Sequence, residues 1–152
     1  MNNLLQLTDR IKEELEANVI INAVGFGDMF DLEVEKQTIF PMAHVGMTTA
    51  RIGQGVAFVD MSILFLDIVD TVKTEQTDNF YGNDNEHYVI NNMFSAATKT
   101  VQELMRGDLY NDGFQVEEES VEITFFSERF KDKLAGCGVN FTVTIKNTLD
   151  LC

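Results

Sequence analysis

Leu4, Leu7, Ile11 and Leu15 recur at helical spacing, with Asp9, Lys12, Glu13 and Glu16 on the other side, which predicts a first helix over Leu4 to Ala17. Val19 to Val24 reads as a short extended edge piece, and Gly25 to Leu32 as a turn or a single helical turn. A strand is expected over Gln37 to Met47. Pro41 inside it argues for an edge strand or a bulge, because proline cannot donate to a ladder. Arg51-Ile52-Gly53-Gln54-Gly55 is a flexible connection of hairpin type or longer. The most apolar strand follows, Val56 to Val69. Val59, Met61, Ile63 and Phe65 mark one face, and Phe58, Leu64, Leu66 and Ile68 mostly fill the other. Apolar residues on both faces predict a central strand covered on both sides.

A polar loop spans Thr71 to Asn85, and a second helix follows with a stripe of Ile90, Met93, Phe94, Ala97, Val101, Leu104 and Met105, ended by Gly107. After the turn Asn111-Asp112-Gly113, a strand from Phe114 to Phe126 opens on Glu117, Glu118 and Glu119. A last strand, Gly138 to Lys146, alternates Val139, Phe141, Val143 and Ile145 inward with Asn140, Thr142, Thr144 and Lys146 outward. The order α-β-β-α-β-β predicts an α+β fold. It would hold a four-stranded antiparallel or mixed sheet with both helices on one face, in one domain over residues 1–152.

Charge sharpens this picture more than composition does. The 152 residues hold 25 acids against 11 bases, a net −14, which repels nucleic acid at long range and disfavours a DNA-reading role. Cys137 and Cys152 form neither a disulfide framework nor a C-x-x-C pair, so free thiols in a reducing compartment are expected. The N-terminus lacks the basic start and long apolar run of a signal peptide, and the run Met61 to Leu66 is too short to span a bilayer. A soluble protein made in a cytoplasm is the expectation.

The candidate chemistry is thin. Gly25-x-Gly27 lacks the third glycine and the helix start of a dinucleotide loop, and Asp28 and Asp31 would repel a pyrophosphate. Asp67 and Asp70 could pair as carboxylates at a strand end, where acids can bind a metal or do acid–base work. Asp78 to Glu86 imitates a calcium loop but fails its register, with Phe80 where an oxygen ligand is required. His44 and His87 have no zinc spacing, and His44 on an apolar strand reads as a core or edge histidine. Ser62 and Ser127 lack a nucleophile elbow. No catalytic set, cofactor or metal site is expected. The charged run Ser127-Glu128-Arg129-Phe130-Lys131-Asp132-Lys133 reads either as a solvated connection between strands or as a projecting arm or hairpin, with Glu128, Arg129, Phe130, Lys131 and Lys133 as candidate subunit contacts.

Three stretches carry a resemblance to a known family. They are Val34 to Val45 (VEKQTIFPMAHV), Phe65 to Asp70 (FLDIVD), and Phe125 to Phe130 (FFSERF) leading to Leu134-Ala135-Gly136. With them the chain, from about Leu4 to Leu151, resembles small structural proteins of tailed bacteriophages, notably those infecting Bacteroidetes, crAss-like phages included. Its element order is similar to lambda-type tail terminators and neck ring proteins. The resemblance implies a virion protein assembled in the host cytoplasm as a ring, often of six or twelve copies. Such a ring joins the portal–adaptor complex to the tail, and DNA passes through its lumen without specific binding. It implies no catalytic residues. Glu117, Glu118 and Glu119 would then face the lumen or a partner ring, and Pro41 and the Gly136-Cys137-Gly138 turn would set shape. The alternatives are a small acidic adaptor or DNA mimic and, third, a metal-dependent hydrolase built on Asp67, Asp70 and His44.

Overall fold

The structure is a computed structural model that describes residues 4–27, 40–68, 86–106, 114–129 and 134–146, without the side chains of residues 86, 127–129 and 146. The chain is α+β. Helix α1 (Leu4–Ala17) leads to strands β1 (Ala23–Phe26), β2 (Met42–Ile52) and β3 (Val56–Ile68). Helix α2 (Glu86–Arg106) precedes β4 (Phe114–Val116), a short 3-10 turn (Glu118–Ser120), β5 (Glu122–Arg129) and β6 (Leu134–Lys146). Among the described residues the sheet is mixed and six-stranded, not four-stranded. It runs β1-β2-β3-β6-β4, and β5 lies beside β4 along the same edge of β6. Strand β1 pairs parallel to β2, and every other pairing is antiparallel.

Two expectations on strand number were too low for separate reasons. The extended piece after α1 is a true strand, because Asn22 donates its backbone N–H to Pro41 O (2.8 Å) and its side-chain Nδ2 to Phe40 O (2.8 Å). Those two bonds fix β1 against the start of β2. The single strand expected over Phe114 to Phe126 is broken by the 3-10 turn. There Ser120 donates its hydroxyl to Glu117 O (2.6 Å) and accepts from the Thr142 N–H (2.9 Å), so a side chain replaces a ladder bond.

Boundaries moved as well. Strand β2 starts after the cis Phe40–Pro41 peptide and runs to Ile52, so Arg51 and Ile52 belong to the strand and the hairpin turn is only Gly53-Gln54-Gly55. Gly55 adopts φ +74°, which favours glycine, and Gly53 donates to Val56 O across the turn (2.9 Å). Over its first four residues β2 lies between β1 and β3, so it is not the edge strand that Pro41 suggested there. Strand β6 begins at Leu134, and Gly136-Cys137-Gly138 is therefore strand rather than turn. A Cβ on Gly136 would collide with the Phe65 carbonyl oxygen, so glycine lets β6 approach β3 there.

Both helices pack on one face. Leu7, Ile11 and Leu15 of α1 join Val89, Met93, Ala96, Ala97, Val101 and Leu104 of α2 over Val59, Met61, Ile63 and Phe65 of β3 and Val139, Phe141, Val143 and Ile145 of β6. Each of these large side chains contributes about 1.5–3 kcal/mol of burial. Relative to the expected stripe, α2 is turned slightly. Val89, Ala96 and Thr100 are buried, whereas Phe94 is 40% exposed and meets Phe125 with ring centres 5.6 Å apart. A smaller cluster of Phe40, Met42, Leu66, Phe126 and Leu134 sits on the other face. Thr142 was expected outward to solvent and is buried, because its hydroxyl donates to Asp60. Among the described residues no helix is long and apolar enough to cross a membrane. The expected loop Thr71 to Asn85, the turn Asn111-Asp112-Gly113 and Cys152 lie outside the described residues.

Candidate functional site

At the end of the sheet marked by the β2–β3 hairpin, the two outermost strands are β2 and β4. Strand β1 pairs with Met42 to Val45, so among the described residues Met47 to Ile52 form an edge, and all six side chains are exposed. A bulge at Thr48 shifts the register between Met47 and Thr49. Beyond it the pairings Thr49 with Asp60, Arg51 with Phe58 and Ile52 with Ala57 fix the facing. Ile52 shares the helix face with Ala57, and Thr49 and Arg51 lie on the opposite face. Ile52 is 85% exposed.

The other edge belongs to β4 and the turn that follows it. Phe114 and Val116 point under α2 and are buried, and Gln115 is exposed between them. The 3-10 turn then throws Glu117, Glu118 and Glu119 outward, all exposed. Glu117 Oε1 accepts from the Thr144 hydroxyl at 3.3 Å, which puts its carboxylate on the face opposite the helices. A hollow of about 620 Å³ opens beside the edge, lined by Met105, Phe114, Gln115, Val116, Glu117, Glu118 and Glu119.

A polar seam crosses the sheet between these edges on the face away from the helices. Arg51 Nη2 donates to Asp60 Oδ1 at 3.3 Å, and its guanidinium lies 5.9 Å from the centre of the Phe58 ring. The Thr142 hydroxyl donates to the same carboxylate oxygen at 2.6 Å, and the Thr142 N–H donates to Ser120. The hydroxyl bond from Thr142, helped by Arg51, holds Asp60 below the ordinary carboxylate range.

The residues singled out in the sequence fall into three groups. Glu117, Glu118 and Glu119 stand together at the β4 edge as an exposed acidic rim. Of the arm, Glu128 and Arg129 end β5 in backbone only, and their side chains, with Phe130, Lys131 and Lys133, lie outside the described residues. The acids and imidazoles do not converge. Asp67 shares its parity with Ile63 and Phe65 on the helix face, whereas His44 pairs with Leu64 on the opposite face; Asp70 lies outside the described residues. Burial raises the Asp67 carboxyl, partly offset by the Ile68 N–H it accepts at 2.8 Å.

His44 is a core histidine. Its Nε2 donates to Gly27 O at 2.7 Å, and its buried Nδ1 has no hydrogen-bond partner among the described residues. Gly25 lies so close to His44 and Met42 that a Cβ would collide with both, so Gly25 serves strand packing, whereas Gly27 has open space around it and a φ of +102°. His87 sits exposed on α2 with its ring 4.1 Å from that of Tyr88. Among the described residues no three His, Cys, Asp or Glu side chains gather as a metal ion would require.

Sequence reasoning missed the seam and the β2 edge. The run Met47-Thr48-Thr49-Ala50-Arg51-Ile52, rich in β-formers without proline or acid and adjacent to a hairpin glycine pair, signals a strand but not which side of it is left unpaired. No family model matches the chain, and no curated protein matches it.

Proposed function

We propose that this protein is a structural virion subunit of a tailed phage, forming a ring at the head–tail joint as a tail terminator or neck ring. In that role it links the portal–adaptor complex to the tail and lets DNA pass. The observation that carries the reading is a helix-backed sheet whose strands at Met47 to Ile52 and at Phe114 to Val116, on the two sides of its hairpin end, have no further strand partner among the described residues. Natural proteins usually blunt or cover such edges, because they recruit other strands. A subunit designed for repeated assembly uses them.

Charge supports the same reading. A ring of copies carrying −14 each would present an acidic wall to duplex DNA, and mutual repulsion keeps the duplex sliding rather than adhering. Glu117, Glu118 and Glu119 remain candidates for the lumen or for a partner ring. The hydrolase reading loses support, since Asp67 and His44 lie on opposite faces of the sheet. A monomeric acidic adaptor or DNA mimic is the second reading. The exposed acids Glu117, Glu118, Glu119 and Glu122 along one edge favour it. Negative-stain images of the purified chain at high concentration separate the two: annular particles are expected, and fields of featureless monomer-sized particles would favour the adaptor.

A further inference from the structure

We infer that two copies join head to tail by pairing the β2 edge of one with the β4 edge of the next, continuing the sheet across the junction. The inference rests on the ring reading above and names the surfaces that would build the ring.

Three independent features of the two edges match. The first is strand direction. Successive pairings from β2 to β3, β6 and β4 are all antiparallel, so β4 runs opposite to β2. Two copies placed side by side in the same orientation therefore bring β2 and β4 together as an antiparallel pair, with both helix layers on the same side. The second is facing. Ile52 projects on the helix face, and on that face of the neighbour the hollow along the β4 edge is lined by Met105, Phe114 and Val116. An apolar knob that is 85% exposed in the single chain thus meets an apolar-floored recess.

The third is charge. Arg51 projects on the opposite face, where Glu117 also points. One of only 11 basic residues thus meets a carboxylate of the acidic rim, in a chain whose net charge otherwise drives copies apart. Arg51 bonds Asp60 through one nitrogen and its side chain is 63% exposed, which leaves donors for a second partner. Different patches meet on each partner, so the contact is heterologous and generates a ring when the rotation between copies closes.

The test uses the full chain with Cys152→Ser, so that only introduced thiols and the buried Cys137 remain. Thr49→Cys protein is mixed with Gln115→Cys protein and treated with a short bis-maleimide, whose reach spans neighbouring registers of the paired edges. A covalent dimer is expected in the mixture and not with either variant alone, nor when Glu13→Cys on α1 replaces Gln115→Cys. In parallel, Ile52→Asp places a carboxylate against the acidic rim, and its association should weaken about tenfold or more at unchanged circular dichroism. Rings that persist without the cross-link, and with Ile52→Asp as tightly assembled as the unmodified chain, would overturn this junction and leave the ring reading standing. An unmodified chain that never assembles would overturn both.

Discussion

Replacing Gly136 with alanine isolates the closest approach in the sheet. Gly136 faces Leu66 across the β3–β6 ladder, and a Cβ there would be driven into the Phe65 carbonyl oxygen, with Met93 Cγ 3.3 Å away on the helix side. A backbone oxygen at the centre of a sheet cannot swing aside as a side chain can. The two longest strands must separate locally, or the ladder must slip. Overpacking in a well-filled core costs about 1–3 kcal/mol, and a rigid backbone collision belongs at or above the top of that range, about 3–5 kcal/mol. For a chain of this length that lowers Tm by about 10 °C.

Gly138 provides the internal control. A Cβ there meets only Leu64 Cδ2, at 2.9 Å, the far end of a side chain that can rotate away. Gly138→Ala should therefore cost about 1 kcal/mol or less. Urea unfolding followed by far-ultraviolet circular dichroism reads both variants against the unmodified chain. If Gly136→Ala and Gly138→Ala proved equally mild, the Gly136-Cys137-Gly138 segment would be a turn, as the sequence suggests, and not the start of a central strand.

Three further outcomes follow from the same structure. Thr142→Val removes the hydroxyl that donates to Asp60; because the Asp60 pKa is lowered in the folded chain, the stability it contributes is present above 3.8 and is lost as pH falls through the lowered value. The gap between Thr142→Val and the unmodified chain should thus narrow below pH 3.8 in thermal melts taken across pH, and a gap that widens on acidification would contradict the bond. Asn18 is buried, donating to Ala96 O (3.3 Å) and Thr100 Oγ1 (3.4 Å) and accepting from the Ile20 N–H (3.1 Å), so Asn18→Ala should cost about 1–3 kcal/mol in urea unfolding. Burial pushes the Cys137 thiol up to about 11, so Cys152→Ser protein should give no reaction with a disulfide reagent at pH 8 until denaturant is added.

The sequence speaks most clearly where period and burial agree. Leu7, Ile11 and Leu15 lie one helical turn apart and are all fully buried, so both ends of α1 were legible. The alternation through Val139 to Ile145 marks the inward face of β6 for the same reason. Legibility fails where a single polar atom redirects the backbone. The hydroxyl of Ser120 breaks the strand expected over Phe114 to Phe126, and no period announces a side chain substituting for a ladder bond. Glycine misleads in the other direction. Gly136 and Gly138 signal a turn by composition, yet they permit close strand packing against Phe65 and Leu64.

The candidate site was half visible. The run Glu117-Glu118-Glu119 stood out by charge and does form an exposed rim. Its counterpart at Met47 to Ile52 carries only one charge, and its importance comes from where β1 stops pairing, which local sequence does not encode. Asp67 and His44 illustrate the converse. Both are chemically capable, and strand parity alone sends them to opposite sides of the sheet.

The account stands on self-assembly, and native mass measures that directly. Light scattering coupled to size exclusion, run on the unmodified chain over a wide concentration range, should give one discrete multiple of the chain mass at the upper end, consistent with a closed ring. A single-chain mass at every concentration would contradict the account.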